Sequence, residues 1–252
     1  MSRPTRTGRV PHARRCRVIT FFYNLSPNPM KVALCLEEMG LPYAARPVDT
    51  RRGEQHDPAF TALNPNGKVP VILDEEAGVR VFDSNAILLY LAEKTGRFLP
   101  EQNLAARADL LSWLMFVATG IGPYSGQAVH FRHFAPAPDD YARARYVYEA
   151  RRHYGILDAQ LKDRPFVLGE TYTIVDMAVW GWARMVPFVL GAGLADDSAW
   201  AGFPHLKRLV DGISARPAAQ AALALKDRHA FKAEMDEEAR RHMFRFLAQP
   251  AG

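Results

Sequence analysis

The chain has 252 residues, of which 48% are hydrophobic and 23% are charged, an ordinary composition for a globular protein. This length allows two domains, each with a sizeable core. Two cysteines are too few for a disulfide framework and unsuited to a zinc site, so we expect no metal and a cytoplasmic location. No apolar run approaches the roughly 18 residues of a membrane-spanning helix, so we expect no membrane partner.

The net charge of +5 depends on the N-terminal arm. Six arginines occur in the first 17 residues, and no acidic residue precedes Glu37. Subtracting these six charges from +5 leaves −1, which argues against a basic groove for nucleic acid. We therefore interpret residues 1–16 as a disordered basic arm, with an organelle transit peptide as the alternative.

The first elements predicted are a strand, a loop and a helix. Residues 17–23, RVITFFY, are rich in β-branched and aromatic side chains, which predicts a strand. After the loop NLSPNP, a helix is expected with Asn28 at its N-cap, Pro29 at its first position and Gly40 beyond its end. Residues 43–49 then predict a strand at the edge of a sheet, because proline occurs inside it.

Residues 64–91, NPNGKVPVILDEEAGVRVFDSNAILLYL, contain the most informative pattern. The NPNG turn is followed by two short apolar segments, 70–74 and 79–82, that predict a hairpin. Asp83 and Ser84 then open a helix with apolar residues at helical spacing. The N-terminus of a helix offers free N–H groups and partial positive charge, which suit a carboxylate.

Beyond a linker at 98–103 the pattern changes to long helical periods. We predict a helix over 104–119, an aromatic, glycine-containing loop over 120–138 and a helix over 139–163. Thr173 and Asp176 match a capping box at the start of another helix. The predicted domains are therefore 17–98 and an all-helical 104–230, followed by an amphipathic helical tail, 231–252.

Several stretches together resemble the glutathione S-transferase superfamily, and most closely its nu-class branch of glutathione disulfide-bond oxidoreductases. These stretches are the SPN loop at 26–28, DTRRGEQHDPAF at 49–60, residues 64–91, FDSNAILLYLAEKTGRFLP at 82–100 and GPYSGQAVHFRHFAP at 122–136. Ser26 stands where that branch has threonine, and Asn85 stands where many relatives have glycine. The resemblance implies an α/β thioredoxin-like N-terminal domain, an all-α C-terminal domain and a homodimer.

The resemblance also implies a glutathione site. Pro70 would be cis, with the Val69 backbone paired to the cysteinyl part of glutathione, and Asp83 with Ser84 would hold the γ-glutamyl carboxylate. Arg145 lines up with an arginine that reaches a glutathione carboxylate, although Arg143 is an alternative. The implied glutathione ligands are Asn28, Gln55, Val69, Asp83, Ser84 and Arg145.

The implied catalytic residues are Ser26 and Asn28, as donors to the glutathione thiolate. Lowering a thiol pKa by ~2 units from its usual value near 8.5 requires ~2.7 kcal/mol of preferential stabilisation. The N-terminus of a helix supplies ~0.3–1 kcal/mol, so one or two hydrogen bonds to the charge, at ~1.5–3 kcal/mol each, are also needed. Tyr23 is the alternative activating group. The loop contains no cysteine, so the reacting thiol is expected to be that of bound glutathione.

The expected activity is glutathione-dependent reduction of a small disulfide or peroxide. The alternatives are conjugation of glutathione to an electrophile, and a glutathione-binding or scaffold protein without turnover. Cys35 and the tryptophans 113, 180 and 182 are expected to be buried structural residues. The roles of Tyr124, His130 and His133 stay open at this point.

Overall fold

The computed structural model describes residues 19–248, so the predicted arm at 1–16, with Cys16, lies outside the described residues. The N-terminal part alternates strands and helices. In chain order these are β1 Ile19–Tyr23, α1 Pro27–Met39, β2 Tyr43–Pro47, α2 Pro58–Leu63, β3 Val71–Asp74, β4 Val79–Phe82 and α3 Ser84–Thr95.

The four strands form one mixed sheet in the order β2-β1-β3-β4. β1 and β2 are parallel, so the chain between them must cross over, and α1 forms that crossover. β3 pairs antiparallel with both β1 and β4, which confirms the hairpin and the edge position of the strand that contains Pro47. With α1 and α3 packed against it, this sheet confirms the thioredoxin-like prediction.

The rest of the described chain is helical, as predicted. An isolated bridge between Phe166 and Gly169 is the only strand-like pairing in residues 104–248. The helices are α4 Leu104–Phe116, α5 Gly122–Val129, α6 Asp140–Gln160, α7 Ile174–Ala183, α8 Val186–Leu190, α9 Pro204–Ser214, α10 Pro217–Leu223 and α11 Glu237–Met243.

The predicted loop at 120–138 is wrong over most of its length. π-Helical turns at Val117–Ile121 and His130–Phe134 connect with α4 and α5, so the chain stays helical to residue 134. The glycines here permit close packing rather than chain reversal. A Cβ atom at Gly122 would lie 3.3 Å from Nε1 of Trp182, and one at Gly126 would lie 3.6 Å from Cη2 of the same ring.

This helical stretch, Leu104–Phe134, is also long and apolar enough to cross a membrane by length and composition alone. The sequence prediction of no such segment therefore needs qualification. Core helices of globular proteins have the same length and composition. Here the stretch packs against α6, α7 and α8 of the helical domain.

Two predicted helix boundaries also differ. α1 begins at Pro27 with Ser26 as its N-cap, so Asn28 lies inside the first turn instead of capping the helix. The C-terminal end agrees, since Gly40 follows α1 with a φ of 63°, a left-handed conformation that favours glycine. The predicted helical tail has no regular secondary structure at 231–236 and forms an α-helix only over Glu237–Met243, with a 3-10 turn at Arg245–Ala248.

α7 is the central helix of the C-terminal domain, and its first turn is fixed by the predicted capping box. The buried Asp176 carboxylate accepts N–H bonds from Thr173 and Val167, both 2.8 Å long. The next N–H, that of Ile174, donates to the Phe98 carbonyl at 3.0 Å. The start of α7 is therefore tied to the chain that enters the helical domain.

We expect Asp176→Ala to lower the free energy of unfolding by roughly 3–5 kcal/mol, because two buried N–H groups lose their acceptor. Thr173→Ala is the matched control, and loss of that cap should cost only about 1 kcal/mol. Urea unfolding measures both. A loss for Asp176→Ala no larger than that for Thr173→Ala would contradict this account of α7.

Candidate functional site

A cavity of about 500 Å³ lies between the loop before α1 and the helical domain. Its polar side holds Asn24, Ser26 and residues 49–51. Its other walls are largely apolar and come from α5, α7, α8 and the chain after residue 230. The apolar lining comprises Leu25, Pro27, Val129, Phe134, Trp182, Met185, Phe188, Phe231, Met243 and Phe244.

Ser26 is exposed at the cavity, but its hydroxyl is already engaged. It donates to Oδ1 of Asn24 at 2.6 Å, and the same oxygen accepts the Ser26 N–H at 3.0 Å. The Asn24 amide in turn donates to Thr50 at 3.3 Å. For Ser26 to donate to a thiolate, its hydroxyl must turn away from Asn24. Oδ1 of Asn24 would then still accept the backbone N–H of Ser26.

Asn28 is held by a residue that sequence reasoning assigned to the core. Nε1–H of Trp182 donates to Oδ1 of Asn28 at 2.9 Å. An indole N–H can only donate, so the atom of Asn28 that faces it must be the amide oxygen. The NH₂ group of Asn28 is therefore the part left to donate to another molecule.

The backbone at the start of α1 offers fewer donors than predicted. Pro27 and Pro29 have no N–H, and the N–H of Met30 donates to the Ser26 carbonyl at 3.2 Å. Asn28 therefore supplies the one backbone N–H that remains in this first turn. The prolines were visible in the sequence, and this consequence could have been predicted from them.

The second group of predicted ligands lies around the start of α3, outside the lining of the cavity. The Val69–Pro70 peptide bond is cis, as the resemblance implied. Asp83 is the N-cap of α3, and its Oδ1 accepts the N–H groups of Asn85 and Ala86 at 2.9 and 3.1 Å. Both bonds use one oxygen, so Oδ2 of Asp83 is left for other contacts. Ser84 is buried beside it.

The remaining predicted ligands make other contacts. Gln55 is buried, and its NH₂ group donates to the carbonyls of Thr50 and His242 at 3.2 and 3.1 Å, while its Oε1 has no partner. Arg145 pairs with Glu149, and hydrogen bonds from this arginine hold the pKa of the Glu149 carboxyl low. Neither Gln55 nor Arg145 lines the cavity.

The alternatives to these residues are also engaged. The Arg143 guanidinium pairs with Asp140 at 2.8 Å. The Tyr23 ring is buried, and its hydroxyl lies 2.8 Å from Nδ1 of His229. Burial raises the pKa of Tyr23, which makes a tyrosinate at this position less accessible.

Of the three residues with open roles, only His130 lines the cavity. Its ring centroid is 4.7 Å from that of Phe244, and burial lowers its pKa. His133 stacks on Phe188 and donates to the carbonyl of that residue at 2.9 Å. Tyr124 packs against His153, away from the cavity. Within residues 19–248, no cluster of three or more histidine, cysteine or acidic side chains could hold a metal ion.

The C-terminal segment, residues 229–244, forms one wall of the cavity and was missed by sequence reasoning. Its backbone is held by the N-terminal domain. The Lys232 N–H donates to Oδ2 of Asp49 at 2.7 Å, and the Arg51 guanidinium donates to the carbonyls of Lys232 and Ala233 at 2.9 and 2.6 Å. No local motif could reveal these bonds, because about 180 residues separate their partners.

Comparison with known proteins agrees with the division into an α/β N-terminal domain and a helical C-terminal domain. The family model described as the glutathione S-transferase N-terminal domain matches residues 25–94, and the model of the C-terminal domain matches residues 124–217. Two curated Escherichia coli proteins are similar to the chain. The disulfide-bond oxidoreductase YfcG is 38% identical over 82% of this chain and 94% of its own, and the disulfide-bond oxidoreductase YghU is 40% identical over 77% and 69%.

Solved structures are similar over most of the chain. A glutathione transferase from Burkholderia graminis, with two glutathione molecules bound per subunit, aligns with a TM-score of 0.77 and 35% identity, covering 86% of this chain and 92% of that one. A glutathione transferase from Pseudomonas putida, with one glutathione disulfide bound per subunit, aligns with a TM-score of 0.77 and 37% identity, covering 85% and 94%.

We expect Arg51→Leu to release the C-terminal segment, because two carbonyls lose their charged donor. Amide hydrogen exchange of residues 229–244 should become faster, while exchange in α7 stays unchanged. Arg46→Leu, an exposed substitution on β2, is the matched control. Equal exchange in the two variants would mean that Arg51 does not hold the segment.

Proposed function

Because the chain belongs to the glutathione S-transferase family, we propose that it reduces small disulfides or peroxides with glutathione as the thiol. A disulfide RSSR and two glutathione molecules give two RSH and glutathione disulfide. A peroxide ROOH and two glutathione molecules give ROH, water and glutathione disulfide. In the first reaction, a bound thiolate attacks one sulfur of RSSR and releases RS⁻, and a second glutathione thiolate then resolves the mixed disulfide.

The observation that carries the proposal is the hydrogen bond from Trp182 to Asn28. It fixes the amide so that its NH₂ group is free to donate. Asn28 itself does not line the cavity, but its neighbours Ser26 and Pro27 and its partner Trp182 do. A preorganised donor stabilises a thiolate more effectively than one that must first reorient. We therefore assign Asn28 as the main catalytic donor and Ser26 as the second.

The free energy needed to stabilise a thiolate is more than the N-terminus of α1 can supply, so a side-chain donor is also required. With two prolines in the first turn, α1 presents a single backbone N–H, and a helix N-terminus contributes ~0.3–1 kcal/mol. A hydrogen bond to a charged group contributes ~1.5–3 kcal/mol. The Asn28 amide together with this N–H approaches the ~2.7 kcal/mol that lowers a thiol pKa by ~2 units.

The thiol in this reaction is assigned to glutathione because no cysteine is near the cavity within the described residues. Cys35 is fully buried in the core, and burial raises the pKa of its thiol. A buried protonated thiol is a poor nucleophile. The similarity to two proteins named disulfide-bond oxidoreductases, and to a structure that holds glutathione disulfide, supports reduction over other uses of glutathione.

Conjugation of glutathione to an apolar electrophile is the second candidate. It is favoured by the cavity wall, where the aromatic rings of Phe134, Phe188 and Phe231 and the side chains of Met185 and Met243 present an apolar surface. Such a surface suits an organic electrophile, and it equally suits the organic part of a disulfide or peroxide.

For the glutathione ligands, we propose that Val69, Asp83 and Ser84 bind the tripeptide at the start of α3, and that Gln55 and Arg145 do so only after exchanging their present partners. We also propose that the protein is a cytoplasmic homodimer. Val79 and Phe82 on the edge strand β4, with Met115 on α4, are exposed apolar residues that a second copy could cover.

A side-by-side assay tests the proposal. The protein and glutathione are mixed either with hydroxyethyl disulfide or with an aromatic chloride, and turnover is compared at equal concentrations. Faster disulfide reduction supports the proposal. Faster conjugation favours the second candidate, and binding of glutathione without either turnover favours a binding protein.

Asn28→Ala should raise the apparent pKa of the bound thiol by ~1–2 units, because a donor to the thiolate is lost. The change leaves the N-cap of α1 in place, since Ser26 occupies that position, but it also removes the acceptor of the Trp182 indole N–H. Ser26→Ala should cause a smaller shift because its hydroxyl is partly committed to Asn24. Activity measured against pH gives these values. Cys35→Ser and Cys16→Ser are the controls. Loss of turnover in either folded variant, with the pH profiles of Ser26→Ala and Asn28→Ala unchanged, would assign the chemistry to a protein thiol.

Trp182→Phe should lower turnover several-fold and raise the apparent thiol pKa by up to ~1 unit, because Asn28 loses the donor that fixes its amide. The ring that packs on α5 is retained. Trp113→Phe, which removes an indole outside the cavity lining, is the matched control. An unchanged pH profile in Trp182→Phe would show that Asn28 needs no such fixing.

A further inference from the structure

A buried lysine lies behind the start of α3. The Lys31 side chain on α1 is 1% exposed, and its Nζ donates to Oδ1 of Asn85 at 3.0 Å. The Asn85 amide donates in turn to the Leu114 carbonyl of α4 at 3.1 Å. Asn85 directly follows Ser84, so the ammonium lies just inside the proposed carboxylate seat, which is the pair Asp83 and Ser84.

A buried ammonium is costly unless its charge is used or compensated. One hydrogen bond from Nζ satisfies a single donor of the three that Lys31 carries. A side chain that served packing alone could be apolar at this position, where the stem lies against Gly181. The charge therefore calls for a function that an apolar residue would not supply.

We propose that Lys31 is a positioning residue of the carboxylate seat, where its ammonium, oriented by Asn85, makes the start of α3 more attractive to the γ-glutamyl carboxylate. The inference rests on the proposed binding of glutathione at Asp83 and Ser84. The ammonium adds its positive charge to that of the N-terminus of α3, which together attract the carboxylate, while Asp83 supplies the negative charge that suits the neighbouring amino group of the ligand.

The charge of Lys31 is sensitive to pH in the physiological range. Burial lowers the pKa of Lys31 to about 7, and the Asp83 carboxylate opposes this shift. Among the other charged groups near α1 in the described residues, the Arg184 guanidinium directly after α7 lies over the Trp180 ring, and its buried Nε has no hydrogen-bond partner. Asp176 on α7 accepts N–H groups of its own capping box, and Arg216 before α10 pairs with Glu38 near the far end of α1.

The sign of the pH dependence follows from linkage. A bound carboxylate stabilises protonated Lys31, so binding raises the pKa of Lys31 and takes up a proton at and above about pH 7. The affinity for the carboxylate should therefore fall as the pH rises from 6 to 8.5. A lysine with a purely structural role would produce no such uptake.

The test uses S-methylglutathione, which has no ionisable thiol, and calorimetry from pH 6 to 8.5. Lys31→Met should bind it roughly fivefold more weakly than wild type at pH 6, with the difference shrinking toward pH 8.5. Lys226→Met, the same substitution at an exposed site, is the control and should match wild type. Ser84→Ala should weaken binding at every pH.

A second measurement needs no variant. Wild-type binding at pH 7.5 in two buffers with different ionisation enthalpies should show proton uptake with S-methylglutathione. An analogue that lacks the glutamyl α-carboxylate but keeps the amino group should show less uptake. Equal uptake for both ligands, or a Lys31→Met effect that does not vary with pH, overturns the inference while glutathione binding stands. Failure of wild type to bind S-methylglutathione overturns the proposed function and this inference together.

Discussion

The close approach of α1 to α7 at Gly181 is the contact on which both ends of the proposed site depend. A Cβ atom at this position would lie 2.7 Å from the Pro27 carbonyl oxygen and 2.9 Å from Cβ of Lys31, so a larger residue would force the helices apart. Because the helices are close, the adjacent Trp182 reaches Asn28. The same contact buries the stem of Lys31. One helix–helix contact therefore sets the donors at the thiol end and the charge at the carboxylate end.

The sequence predicted the fold well where local patterns and packing agree. β1, the hairpin and α3 have side-chain periods and turn residues that leave few alternatives. The error at 120–138 has a physical cause, since glycine favours a turn locally but also permits close packing. Gly122 and Gly126 serve the second purpose beneath Trp182, a partner that is distant in the chain. A local pattern cannot distinguish these two uses of glycine.

In the candidate site, too, local features could be predicted from the sequence, whereas contacts between distant residues could not. Local motifs could place Ser26, Asn28 and the Asp83–Ser84 pair at the starts of α1 and α3, because their position relative to a helix is local information. The bond that orients Asn28 joins residues 154 positions apart, and sequence alone gave Trp182 only a core role. The wall contributed by residues 229–244 was missed for the same reason, since its backbone bonds depend on side chains near position 50.

The two ends of the proposed site should respond differently to pH, and this difference would separate their contributions to the proposed reaction. The proposed donors to the thiol are an amide and a hydroxyl, which stay uncharged from pH 5 to 9. A pH dependence at this end would therefore come from ionisation of the glutathione thiol. The carboxylate end contains Lys31, which loses its charge near pH 7. Titration of the bound thiol affects kcat, whereas titration of Lys31 in the free protein affects kcat/KM. A fall in kcat/KM as the pH rises through 7, absent from kcat, would therefore report the seat at α3 rather than the chemistry at α1, because ionisation of the glutathione thiol has the opposite effect and increases the rate as the pH rises.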